Sequence, residues 1–164
     1  MNEKRKFEIS GERGNIFTKT GTNYIWMGTI WEYPLNQLID EHIWKIKILK
    51  TFNYSIMIGI ATSDFDFNIA SYGTNNFGWY YCCNNGYLYS GPPHNYQDKG
   101  IKLKYKKNEV VEVMNMKKRS LKFIIEGEDK GDSYINIPLE KPIFPSVLLG
   151  HKDDSVEIID MNKK

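Results

Sequence analysis

A stretch beginning at Asn76, NFGWYYCCNNGYLYSG, constrains the fold more than any other part of the chain. Two aromatic-rich runs, residues 79–83 and 87–89, flank Asn84-Asn85-Gly86. Asn-Gly supplies the positive backbone φ of a tight hairpin turn, so the two runs read as paired antiparallel strands. Side chains alternate across a strand, which sends Trp79, Tyr81 and Cys83 to one face and Tyr80 and Cys82 to the other. Rings on both sides leave neither as a plain solvent face. The hairpin is expected to be central, with Trp79, Tyr81, Leu88 and the distant Trp44 in the core.

The same period of two recurs along the chain. Residues 43–49 put Trp44, Ile46 and Ile48 on one side and Ile43, Lys45, Lys47 and Leu49 on the other. Residues 55–61 are mostly apolar and read as a strand covered on both faces. With a turn at Asn53, these two are expected to pair as a second long hairpin. Short strands are also expected at 7–10 and 15–18, around the glycines at 11 and 14, and at 24–29 and 30–33. Pro34 then breaks pairing, and 35–40 is expected to make one helical turn. Further on, strands are expected at 101–105, 110–116 and 121–125, with turns at 115–119 and 126–129. A loop punctuated by Pro138, Pro142 and Pro145 leads to strands at 146–149 and 155–159. Turn signals recur every ~8–12 residues, the spacing of an antiparallel sandwich or barrel. No long helical period and no internal repeat is present. The fold class is all-β.

At 164 residues a single domain is expected. It should run over 7–160, between a flexible N-terminus at 1–6 and a flexible C-terminus at 161–164. A net charge of +2, from 22 basic and 20 acidic residues, argues against a dedicated nucleic-acid binder. The lysines at 102, 104, 106 and 107 and the cluster Lys117-Lys118-Arg119 read as solvated surface that discourages edge pairing. Cys82 and Cys83 are adjacent, closer than an ordinary disulfide spans, so a reducing, cytoplasmic setting is expected. No apolar run approaches the ~20 residues of a membrane span. His42, His94 and His151 lack zinc spacing, and no metal or cofactor is expected. Phosphate-loop and nucleophile-elbow motifs are missing. Asp64, Asp66, Asp98, Asp153 and Asp154 are the carboxylates on which a glycosidase reading would draw, but spacing in sequence cannot show the separation that chemistry needs. The chain is not expected to be an enzyme.

An ordered series of motifs resembles the SPRY domain over residues 15–159. It begins with His42-Ile43-Trp44-Lys45-Ile46-Lys47-Ile48 and Ile58-Gly59-Ile60-Ala61-Thr62. Gly78-Trp79-Tyr80 and Gly86-Tyr87-Leu88-Tyr89 follow, then Leu121-Lys122-Phe123, Glu126-Gly127 and Gly131. Pro145-Ser146-Val147 and Ser155-Val156-Glu157 complete it. The resemblance implies a bent, concanavalin-like sandwich of two antiparallel sheets with little helix. It also implies an adaptor that recognises protein through loops at one rim, commonly as the substrate receptor of a ubiquitin-ligase complex. The chain departs from the family where Asn115 and Lys117 replace Asp, Arg119 replaces Gly and Glu126 replaces Asn.

Segments 62–76, 90–99 and 148–154 are the candidate rim, since long loops in compact domains are often functional. In one SPRY subfamily, peptide contacts come from positions that match residues 68–72 and Leu148-Leu149-Gly150. The candidate partner-binding residues are Asp66, Phe67, Asn68, Tyr72, His94, Tyr96, Leu148, Leu149, Gly150 and His151. The expected partner is a short peptide segment of another protein, bound by a monomer without nucleic acid or membrane. The alternative is a lectin-like carbohydrate binder stacking sugars on Phe67, Tyr72 or Tyr96.

Overall fold

The computed structural model describes residues 7–21, 27–62, 78–90 and 108–162, apart from the side chains of Met27 and Lys130. The strand expected at 101–105, the lysine stripe and most of two candidate rim segments lie outside these residues. Among the described residues the chain forms strands and no helix. In chain order they are β1 (Phe7–Ser10), β2 (Ile16–Lys19), β3 (Met27–Ile30), β4 (Glu41–Lys50), β5 (Ile56–Thr62) and β6 (Gly78–Cys82). They continue with β7 (Leu88–Ser90), β8 (Glu109–Asn115), β9 (Ser120–Ile125), β10 (Glu128–Tyr134), β11 (Ile143–Leu149) and β12 (Ser155–Asp160). A seven-stranded sheet has the order β1-β2-β12-β4-β8-β9-β10, and a five-stranded sheet the order β3-β11-β5-β6-β7. All pairings are antiparallel, and the two sheets form an open sandwich.

The core lies where the two inner faces meet. Trp44, Ile46 and Ile48 of β4 face it, with Ile43, Lys45, Lys47 and Leu49 on the other side, as the alternation predicts. The five-stranded sheet supplies Ile56, Ile58, Ile60, Tyr81, Cys83, Leu88, Val147 and Leu149. Its opposite face carries a second buried cluster of Met57, Ala61, Tyr80, Cys82, Tyr89 and Leu148. Strand β5 is thus buried on both sides, and so is the β6–β7 hairpin. Among the described residues β7 is the last strand of its sheet. At Gly59 any Cβ would fall on the Trp79 backbone, so β6 approaches β5 at a distance only glycine permits.

Several local expectations are corrected. Strands β4 and β5 do not pair with each other. β4 lies between β12 and β8, and β5 between β11 and β6, so residues 51–55 cross from one sheet to the other. Alternation reports which face is buried, not which strand is the neighbour. The segment 35–40 forms an Asx-type turn, with Leu38 N–H donating to Asn36 Oδ1 at 2.8 Å, rather than a helical turn. The Asn-Gly turn is wider than expected. Cys83 N–H still donates to Ile56 O at 2.8 Å, which keeps Cys83 in the β5 ladder and leaves residues 83–86 as the connection. Gly86 takes the positive φ there, 77°.

Strand β11 starts at Ile143 and includes Pro145, which had been expected to precede it. Pro145 O accepts from Trp31 N–H at 2.9 Å, so the proline's missing donor faces the side where β3 has just ended at Ile30. Strand β10 was not foreseen. It is a polar edge strand whose pairing slips at Asp129 and Asp132 around Gly131, φ 82°. Its last residue nevertheless ties the two sheets together. Tyr134 Oη lies 2.8 Å from Tyr80 O and 3.0 Å from Tyr89 O, sharing one proton between carbonyls of the β6–β7 pair.

Candidate functional site

Strand ends define the two ends of the sandwich. At the first, β4 passes into 51–55, β6 into 83–86 and β11 into 150–154; we call it the Gly150 end. At the other, β12 finishes at Asp160, β3 passes into the 31–40 connection and β9 begins; this is the Asp160 end.

The loops of the Gly150 end are joined to one another by hydrogen bonds, several of them to buried polar groups. Asp154 is 1% exposed. Its Oδ1 accepts from Phe52 N–H at 3.0 Å and its Oδ2 from His151 N–H at 3.1 Å, which joins the β4–β5 loop to the β11–β12 loop. Burial pushes its carboxyl above the usual carboxylate range, against the downward pull of those two N–H groups. Asp153 N–H donates to Lys19 O at 2.8 Å, and Lys19 N–H to Asp154 O at 3.0 Å. The buried Lys19 ammonium lies 3.3 Å from Gly150 O. Gly150 N–H donates to Ser55 O at 2.9 Å, and Asn84 Nδ2 to Asn53 O at 2.8 Å, which adds the hairpin loop to the cluster. Tyr54 and Asp153 both adopt positive φ, 61° and 73°, the strain of fitting these turns together.

On this frame Phe52 is 77% exposed. Its ring meets the half-buried His151 ring edge to face, with centroids 4.9 Å apart. The pair is the main exposed apolar feature of the described loops at this end.

The predicted site residues divide three ways. Asp66, Phe67, Asn68, Tyr72, His94 and Tyr96 lie outside the described residues. Leu148 and Leu149 point into the two buried clusters, Leu149 being 0% exposed, while Gly150 is buried and gives its backbone to the loop network. His151 alone of the described four reaches the surface. The turn around it is held from within, because Asp154 is among the most buried polar residues. Phe52 and Lys19 were missed, and Asp154 was named only as a possible glycosidase carboxylate within the rim segment 148–154. A lone aromatic between Thr51 and Asn53, two turn-forming residues, was the available signal for Phe52.

The strand ends bear on the predicted convergence of the rim. Ile143 pairs with Thr62 and Leu149 with Ile56. The chain therefore leaves β5 for 63–77 at the end opposite to the one where β11 passes into Gly150. Ser90, paired with Trp79, lies toward that same opposite end.

Other chemistry is sparse among the described residues. No group of three or more His, Cys, Asp or Glu is placed to hold a metal. Cys82 and Cys83 are free, and burial raises both thiols above their ordinary range. Glu112 is fully buried between the sheets. Its Oε2 accepts from Trp44 Nε1–H at 3.0 Å, and its Oε1 has no partner. Burial pushes its carboxyl well above the carboxylate range. No helix of the described residues is long and apolar enough to cross a membrane.

Comparison with known proteins agrees with this architecture. The SPRY domain of human HERC1 superposes with a TM-score of 0.77 at 17% identity, covering 98% of this chain and 96% of that one. A second human SPRY domain gives 0.74 at 14% identity, covering 98% of each chain. The TRIM65 PSpry domain gives 0.66 at 10% identity, covering 97% of this chain and 87% of that one. No curated protein matches the sequence. The SPRY domain model matches residues 41–163, most of the chain. The chain belongs to the SPRY domain family, a family of protein-interaction modules.

Proposed function

We propose that this chain is a non-enzymatic, monomeric cytoplasmic module whose single domain, residues 7–160, binds a short segment of a partner protein at the Gly150 end. The observation that carries the reading is the pairing of an exposed aromatic with a rigid frame. Phe52 projects from loops fixed by the buried Asp154 carboxyl, so an apolar anchor is offered without the entropy of ordering a free loop. Leu148 and Leu149 act from beneath, seating Gly150 and His151. Asp66, Phe67, Asn68, Tyr72, His94 and Tyr96 complete the rim in this proposal. A segment as long as 63–77 can span about 50 Å, more than twice the ~20 Å length of β5, so it is able to run back to the Gly150 end. The family resemblance favours a role as substrate receptor or subunit of a ubiquitin-ligase-type complex.

The test is a peptide display selection on the full chain beside a glycan array, each repeated with Phe52→Ala/His151→Ala after circular dichroism shows the fold retained. Peptides that bind the wild type and lose about tenfold or more on the double variant, a loss of about 1.4 kcal/mol, support the proposal. Glycan binding without peptide binding refutes it, and so does peptide binding that ignores both substitutions.

A further inference from the structure

The large apolar side chains left exposed among the described residues are unevenly placed. Leu49 and Phe52 are at the Gly150 end and Ile9 is on edge strand β1. Tyr33, Leu38, Ile39, Ile135 and Met161 all belong to the Asp160 end, where Leu38 is 91% exposed. Hydrogen bonds hold these segments together. Gln37 Nε2 donates to Leu139 O at 3.0 Å, and Met161 N–H to Ile43 O at 2.9 Å. Between them is a cleft of about 80 Å3 lined in part by Trp31, Tyr33, His42, Pro145, Asp160 and Asn162. Pockets for whole small ligands run to about 300 Å3 or more, so this cleft suits one side chain.

Its electrostatics choose the side chain. Among the described residues of the lining, Asp160 is the only carboxylate and there is no lysine or arginine. The segments that frame the cleft, 31–43, 139–145 and 160–162, carry Glu32, Asp40, Glu41, Glu140 and Asp160 against one cation, Lys141, while Lys117, Lys118 and Arg119 lie beyond Asp40 on the β8–β9 turn. His42 Nε2 lies 2.8 Å from Asn36 O. The Tyr33 ring, edge to face with Trp31 at 5.0 Å and itself exposed, leaves surface on which a cation can rest.

We propose that the Asp160 end is a second docking surface, taking a basic segment of a partner protein. One lysine or arginine enters the cleft beside Asp160, its methylene stem against Tyr33 and Pro145, while an apolar neighbour in the segment lies on Leu38 and Ile39. The surface stands apart from the Gly150 end, so the chain would hold two protein segments at once.

The test is a selection of short random peptides on the full chain, with counter-selection on Asp160→Asn. Recovered peptides are measured by fluorescence anisotropy against the wild type, D160N and Leu38→Ala, an exposed change that leaves packing intact. The expected peptides carry lysine or arginine next to an apolar residue, bind about tenfold more weakly to D160N and L38A, and weaken as salt is added. Peptides without a basic residue, equal binding to D160N, or no enrichment over the counter-selection would overturn the proposal. Binding that appears only after removal of Lys163 and Lys164 would also overturn it, by making the chain's own tail the occupant.

Discussion

Replacing Glu112 with glutamine should stabilise this protein at neutral pH, although it removes a charge and adds no contact. Glu112 is fully buried, and its one hydrogen bond, from Trp44 Nε1–H, can be accepted equally by a glutamine carbonyl. The other position, Oε1 in the glutamate and an amide NH2 in the glutamine, has no partner in either case. What the substitution removes is the proton linkage. Burial raises the folded carboxyl well above its ordinary value of 4.5, while in the unfolded chain it ionises near that value. Between the two, the native state binds more protons than the unfolded state, so stability falls as pH rises. The fall is about 1.4 kcal/mol per pH unit and stops where the folded carboxyl itself ionises. Glu112→Gln should therefore match the wild type near pH 4.5 and gain on it by about 1.4 kcal/mol, or about 3–6 °C in Tm, for each pH unit above that until the folded carboxyl ionises. Urea or thermal denaturation from pH 4.5 to 8 reads the gap directly. A gap that stays constant across that range, or a variant less stable than the wild type at pH 7, would refute the reasoning, because the carboxylate would then be ionised and supported in the core.

Other substitutions test particular contacts. Tyr134→Phe removes the hydroxyl shared between Tyr80 O and Tyr89 O and should cost about 1 kcal/mol in urea unfolding, with the strands intact by circular dichroism. Arg119→Gly and Glu126→Asn should each raise stability by about 0.5–1 kcal/mol, since both residues hold φ of 56°, where longer side chains are strained; unchanged or lowered Tm would contradict this.

Those last two positions show what the sequence does encode. The turn departures at Arg119 and Glu126 were legible as substitutions for Gly and Asn, and the structure supplies the reason they matter, a left-handed backbone at both. Faces were equally legible. Tyr81 and Cys83 enter one buried cluster while Tyr80 and Cys82 enter the other, because a period of two is a property of the strand itself. Partners were not legible. Nothing in residues 43–61 says that β4 and β5 part into different sheets, since pairing is decided by β8, β12, β11 and β6 from elsewhere in the chain. Strand β10 escaped notice because an edge strand with few buried side chains has no apolar pattern to read. At the site, His151 could be named from its position before the last strand. The buried, loop-joining roles of Asp154 and Lys19 could not, because a charged residue reads as surface until its backbone partners are known.

Amide hydrogen exchange of the full chain, with and without a peptide recovered on the Phe52-dependent selection, tests recognition at the Gly150 end most directly. The account predicts slowed exchange on binding at 51–55 and 150–153, with β4 and β11 little changed. Slowing confined to 31–43 and 160–162, or spread without preference over both ends, would contradict it.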